Sequence, residues 1–576
     1  MPTRMKKYQN KWQIANLPQW LLQLLLTLLF GICVFLFWKV RYPFALTYQE
    51  QLQMFLFDDD YFLERMSEPG GFARYVAEFL VQFYNSVTIG AAIIAILMML
   101  VQRLTWRLMH CKEHYFLSFL PAVLLWFVMG DESVKLSYIV ALLMAMAVSW
   151  LMTIIINKVN SRRRTLVKAI ALFVLIPPLY WLIGPMVVLV ALCVMPLSVI
   201  WALAVMLLSA HFVPFPLSRV MIGISYYRFP EAIPYILIII PAFIWVLSIT
   251  VRRLPQPKPW VKWCEAAVCA IVIIGCPDLG FDATKYELME YDYLVRIRDW
   301  KGVIAKAEQK TPDLPMSVSA TNLALAMTNQ LGERAFDFYQ RTSEGLLPRF
   351  ERNFSTTQLA GEVYFYLGLV NTAQRFAFEA MEAIPDYNKS ARVVKRLAET
   401  NLINGEYDVA RKYLQMLDKT IFYRPWAQQA MAMLGDEKQI DAHPLYGTLR
   451  QYRLKDDFLF SEDELDKICG QLFMHNQHNR IATQYLLMAP LLDRDIPRFM
   501  AYVKVVQNRV DYNPRSCQEG IAFAFMQQRQ QPPQGTVSQM VLQRMNDFAR
   551  IYSADHSSQE LGRFRNTVWY YLTVGK

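Results

Sequence analysis

One apolar stretch of membrane-spanning length follows another through residues 1–277, and nothing else in the chain restricts its fold so tightly. A bilayer core offers no water to backbone N–H and C=O groups, so segments crossing it are internally satisfied helices or closed barrels. Runs near the ~20 residues that a crossing helix needs argue for helices. The other 299 residues carry no such run and read as soluble. The expected fold is all-α: a polytopic transmembrane domain at 1–277, then a soluble helical repeat domain at 278–576.

Composition agrees. The chain is 55% hydrophobic and 19% charged, too apolar for 576 wholly soluble residues. Residues 1–277 hold 23 Lys and Arg against 12 Asp and Glu, and the tail holds 36 of each, so the whole net charge of +11 belongs to the first part. Cations gathered between spans follow the positive-inside rule, and no nucleic acid is expected as a partner. The basic N-terminus, MPTRMKKYQNKWQ, precedes an apolar run at 21–38 that has no small-residue cleavage site and continues into Lys39 and Arg41. It reads as a retained first span with the N-terminus inside. Cys33, Cys193, Cys264, Cys269 and Cys276 lie in or beside apolar stretches, and no metal-binding spacing occurs. Cys469 and Cys517, alone in the tail, are open to two readings: a disulfide in an oxidising compartment, or two buried thiols.

Further spans are read at 87–101, 116–129 and 136–156. Arg103, Arg107 and Lys112 follow the first of these, and Lys158, Arg162, Arg163, Arg164 and Lys168 follow the last, which places both loops inside. Residues 167–210 are apolar but interrupted by Pro177, Pro178, Gly184, Pro185 and Pro196. The cluster Arg252, Arg253, Lys258 and Lys262, after a span at 235–249, is again placed inside. That asks for an odd number of crossings through 167–210, read as three short ones, and the run 263–276 then exits. The total is about nine spans, with about seven to nine compatible with the pattern. The connection 41–86 and the tail then lie outside, and the expected location is the inner (plasma) membrane with a periplasmic tail.

Four stretches of the tail share one shape: RDWKGV, LGERAF, LVNTAQRFAFEA and NGEYDVARKYL. With Val303, Ala335, Ala373 and Ala410 as equivalent positions, the steps are 32, 38 and 37 residues, a period of helix-turn-helix arrays. In the last unit, 391–403 forms one helix, Asn404-Gly405 ends it, and Ala410 lets the next helix approach closely. Such a pair cannot bury its apolar face alone, so stacking is required. NRIATQYLLMAPLL at 479–492 reads as a further, degenerate unit. These residues resemble the tetratricopeptide (TPR) family, most clearly at Gly405, Tyr407 and Ala410, with Pro385 near the point where that family ends a repeat. The other units lack the glycine or the tyrosine, so the family's peptide groove is not carried over. The resemblance implies an α-solenoid with a surface for protein partners; a folded spacer or lid carries equal weight.

The first outer connection contains Asp58, Asp59 and Asp60. In an extended segment Asp58 and Asp60 point the same way, where they can share a divalent cation such as Mg or Mn, or one can act as base while the other holds the metal. Asp60 is equally a good N-cap for a helix starting at Tyr61, with acids favouring the macrodipole. Arg74, Glu78 and Gln82 make one polar stripe on the helix that follows, which either continues a site or pairs Arg74 with Glu78. Over residues 20–101 this arrangement resembles the first extracytoplasmic loop of GT-C membrane glycosyltransferases. The resemblance rests on Asp58, Asp59, Asp60, Tyr61 and Phe62, and Pro69-Gly70-Gly71 has no counterpart in it. It implies catalytic roles for the three aspartates, metal binding by Asp58 and Asp60, and a sugar donor linked to a polyprenyl phosphate.

Outside on this topology also lie His211, Arg219, Tyr226, Tyr227, Arg228 and Glu231. Arginine where positive charge is disfavoured points to a phosphate partner or to lipid headgroups, so Arg219 and Arg228, with Glu78, are the expected substrate-binding residues. Asp131 and Glu132 form a second acidic patch or a solvated turn. LAETNLINGEYDVARKYL and EPGGFARY carry a likeness, over the whole chain, to a family of bacterial envelope proteins that supplies no activity. The leading expectation is therefore a GT-C-type glycosyl- or oligosaccharyltransferase acting at the outer face. The alternative is a non-catalytic envelope scaffold whose tail recruits protein partners. A transporter ranks third, because few ionisable residues lie inside the spans.

Overall fold

The computed structural model describes residues 18–575 except 112, 387, 455–463 and 555–557, so Lys112 and the basic N-terminal run fall outside the described residues. Among those described, every regular element is helical, and β pairing is limited to one isolated antiparallel bridge, Val134 with Tyr227. The chain forms two compact units: Met1–Leu46 with Asp59–Asp282, and Thr47–Asp58 with Ala283–Lys576.

The first unit is that of a membrane protein. Five of its helices are long and apolar enough to cross a bilayer: Gln19–Arg41, Val87–Met109, Leu136–Asn157, Ser161–Val194 and Pro259–Gly280. Three shorter apolar helices accompany them, Tyr115–Val128, Pro196–Ser209 and Ile236–Val251.

Prolines shape this unit differently from the sequence expectation. Pro177 and Pro178, read as breakers, sit inside the continuous Ser161–Ile183 helix. A proline cannot donate to the carbonyl four residues back, and here neighbouring groups take its place. The carbonyl of Phe173, which Pro177 leaves open, accepts from Trp201 Nε1 at 3.1 Å, with the two rings stacked at 4.7 Å. The helix does end at Gly184, with φ +62, and the next one ends before Pro196. The Leu192 carbonyl, facing Pro196, accepts from Trp245 Nε1 at 3.0 Å. That of Leu237, facing Pro241, accepts from the Tyr138 hydroxyl at 2.8 Å, and that of Trp181, facing Pro185, from the Gly70 amide at 2.8 Å. Irregular backbone within apolar surroundings is tolerated when its polar groups are satisfied in this way.

The second unit is a succession of short helices joined in hairpins, among them Phe354–Leu367 with Val370–Glu382, Ala391–Asn404 with Tyr407–Asp418, and Leu465–His475 with Arg480–Leu492. Gly368 and Gly405 end the first helix of two hairpins at φ +95 and +85, the left-handed C-cap that favours glycine. Val303, Ala335, Ala373 and Ala410, which the sequence aligns as equivalent, are all buried to 1% exposure or less. Cys469 and Cys517 are buried free thiols. The segment Thr47–Asp58, which the sequence places in the first domain's outer connection, belongs to this second unit: Leu52 and Met54 enter its apolar core.

Candidate functional site

A carboxylate set among cations lies in the connection before the Val87–Met109 helix. The Asp59–Met66 and Gly71–Val81 helices are joined by a tight turn in which Gly70 has φ +85 and Gly71 packs so closely that a Cβ would lie 1.9 Å from the Arg65 carbonyl oxygen. The turn folds Arg65 and Arg74 onto Glu78. Arg65 Nε donates to Glu78 Oε2 at 2.7 Å, Arg74 Nε to Oε1 at 3.0 Å, and the Tyr61 hydroxyl to Oε2 at 2.5 Å. Arg74 also reaches Glu68 at 2.9 Å, and the Arg65 guanidinium stacks over the Tyr61 ring at 4.3 Å. Burial would raise the Glu78 pKa, but Arg74, Arg65 and Lys135 outweigh it and hold the carboxyl down at about 2.

Lys135 enters through a short ribbon. Its amide donates to the Tyr226 carbonyl at 3.0 Å, the Arg228 amide donates to that of Ser133 at 2.8 Å, and Val134 faces Tyr227 between them. Alternation puts Lys135, Tyr226 and Arg228 on one face of this ribbon and Tyr227 on the other. The Tyr227 hydroxyl donates to Asp131 at 2.9 Å, and burial together with that carboxylate pushes its pKa up to about 12. Arg219 Nη2 donates to the Tyr227 carbonyl at 3.3 Å. Arg65, Arg74, Lys135, Arg219 and Arg228 are all less than 10% exposed.

An apolar cleft of about 190 Å³ adjoins the ribbon, lined by Pro185, Leu189, Leu192, Ile222, Tyr226, Leu237 and Pro241 among others. Ile222, Tyr226 and Leu237 also line a narrow, mainly apolar recess to which Arg219 contributes. The cleft is therefore framed by the proline-interrupted helices and borders the recess that Arg219 lines. Gly223, at φ +127, makes the bend possible, since a Cβ there would lie 2.1 Å from the Tyr226 ring.

The three aspartates are separated. Asp58 is a residue of the second unit, 2.8 Å from Lys419 Nζ, whereas Asp59 and Asp60 are exposed in the first turn of the Asp59–Met66 helix. Among the described residues no group of three or more His, Cys, Asp or Glu is arranged to hold a metal ion. Glu78 and Arg219 lie where described; His211 and Glu231 are exposed. Sequence reasoning missed Arg65 and Lys135, for which the signal was only a charge in a connection between apolar runs. It also missed a buried ion network in the second unit. There Arg392 bonds Asp292 at 2.8 and 3.0 Å and Glu362 at 3.3 Å, and Arg396 bonds Glu362 at 2.7 Å and lies over the Phe365 ring at 3.5 Å.

The model of DUF6057, a family of unknown function, matches residues 19–575, and the chain belongs to that family. Comparisons with curated proteins and with solved structures gave no match.

Proposed function

We propose that this member of DUF6057 binds a polyprenyl-phosphate-linked sugar at the extracytoplasmic face of the plasma membrane and transfers the sugar, as a GT-C-type transferase. One observation carries the reading: the apolar cleft between interrupted helices shares Ile222, Tyr226 and Leu237 with the narrow recess that Arg219 lines. Broken helices frame substrate sites in membrane proteins, and an apolar cleft with an arginine beside it suits a lipid chain ending in phosphate. The buried Glu78 cluster and the ribbon give that end a rigid support. Arg228, on the ribbon, is the second phosphate contact.

In the transfer, an acceptor hydroxyl bonds to the anomeric carbon while the carbon–oxygen bond to phosphate breaks, its electron pair going to the phosphate oxygen. Arg219 and Arg228 stabilise that charge, and Asp59 or Asp60 takes the acceptor proton. No step passes through a metal. The TPR-like tail presents the acceptor, a role its helical hairpins and recurring buried small residues support.

A second reading is favoured by the aspartates themselves. With Asp58 held by Lys419 and its two neighbours in a helical first turn, they serve as caps and anchors of a non-catalytic envelope scaffold.

The deciding experiment is a profile of lipid-linked sugars and glycoconjugates in cells lacking the protein. The cells are complemented with wild type, with Arg219→Ala, or with Asp58→Asn/Asp59→Asn/Asp60→Asn at matched abundance. The transferase reading expects lipid-linked sugar to accumulate in both variants. If deletion alters no glycan, the scaffold reading replaces it.

A further inference from the structure

Residues 47–58 lie in the second unit as a bound peptide lies in a receptor. The first part of this segment, to Gln51, is the end of the Pro43–Gln51 helix; from Gln53 to Phe57 it has no regular structure, and its backbone is registered there at two points. The Met54 amide donates to the Lys389 carbonyl at 2.9 Å and the Phe57 amide to that of Lys419 at 2.8 Å. Side chains are read between and beside these points. Leu52 packs with Phe354, Ala380, Ile384 and Leu397; Met54 packs with Val394, Leu414, Leu417 and Ala430. The carboxamide of Gln51 is satisfied at both ends, its Nε2 donating to Asp292 at 3.2 Å and its Oε1 accepting from Arg392 at 2.8 Å. Arg296 lies 3.4 Å from Glu50, and Lys419 2.8 Å from Asp58.

Main-chain bonds that give affinity, with pockets and polar readers that give selectivity, are the features of extended-peptide recognition. The contacts named here come from residues beyond Ala283, and the ligand side comes from a stretch before Asp59. We propose that the second unit is a receptor for a segment of pattern Glu-Gln-Leu-x-Met, helical as far as the glutamine and extended beyond the leucine, and that residues 47–58 are its resident, displaceable ligand. The inference is independent of the transferase reading. It gives the Asp292–Arg392 pair a role beyond stability, as the group that selects glutamine at the second position of the pattern.

The test uses the full-length protein in detergent and a fluorescent synthetic peptide of residues 47–58. Full-length Leu52→Ser/Met54→Ser, whose own segment is weakened, is expected to bind the peptide saturably and at least tenfold more tightly than wild type does. A peptide carrying Gln51→Ala is expected to lose at least tenfold. A variant that keeps its helical signal and unfolding transition yet binds no peptide overturns the proposal, as does equal binding by wild type. Should the variant not fold, hydrogen exchange on wild type decides. Met54 and Phe57 amides that open well before those of the Ala391–Asn404 helix support a displaceable ligand, and amides that open only with global unfolding show a fixed core element and overturn it.

Discussion

Trp245 donates its indole N–H to the Leu192 carbonyl, the group that Pro196 leaves without an amide donor, at 3.0 Å. A side chain on one helix thus completes the backbone of another at the point where that backbone is interrupted. Trp245→Phe keeps most of the ring and removes the donor. The orphaned carbonyl is expected to cost about 1–3 kcal/mol, seen as a lower unfolding temperature in detergent. An unchanged transition would mean that another donor reaches Leu192.

Glu78 makes acid stability a property of the first unit. Its carboxyl titrates near 4.5 when ordinary and about 2 when folded, so its contribution is fully present above about pH 4.5 and is lost as pH falls through about 2. Glu78→Gln leaves Arg65 and Arg74 facing a neutral group in a buried site and is expected to cost about 3–5 kcal/mol. The variant should also lose this component of the acid limb. Unfolding temperatures of both proteins from pH 3 to 7 check both statements.

Gly223→Ala places a Cβ against the Tyr226 ring at a φ of +127 that alanine avoids. Backbone strain of about 1–3 kcal/mol, added to the collision, is expected to displace the ribbon and with it Lys135 and Arg228. The check is the unfolding transition together with protection of the Lys135 and Arg228 amides, both of which should fall.

Arg392→Met leaves Asp292 and Glu362 buried without their shared cation, and a loss of about 3–5 kcal/mol is expected. Adding Asp292→Asn should recover part of it, with a coupling energy of about 0.5–3 kcal/mol. Additive losses in the double variant would show that the two side chains act separately.

Local spacing carried some of this molecule and long-range closure hid the rest. The Arg74–Glu78 contact follows from i,i+4 helical geometry and needs nothing beyond the sequence, as does the end of the Ala391–Asn404 helix at Gly405. Lys135 is different: it reaches the Glu78 site through a ribbon to Tyr226, a residue 91 positions later, and no local pattern announces that pairing. Pro177 reads as a breaker because the chain shows the missing amide and not the replacement donor, Trp201, which arrives from another helix. The three aspartates are equivalent in sequence. The unit boundary falls between the first and second of them, and only the fold of the second unit, which supplies Lys419, separates their environments.

The burial of Leu52 and Met54 among helices from beyond residue 350 has a topological corollary. A segment cannot be packed in the core of a domain that lies across a bilayer from it, so the chain must re-cross the membrane an even number of times between Asp58 and Ala283. Seven apolar helices lie in that interval: Val87–Met109, Tyr115–Val128, Leu136–Asn157, Ser161–Val194, Pro196–Ser209, Ile236–Val251 and Pro259–Gly280. Were each of the seven to cross once, Asp58 and Ala283 would face opposite sides; the break at Gly184 within Ser161–Val194 is one place where the parity can be restored.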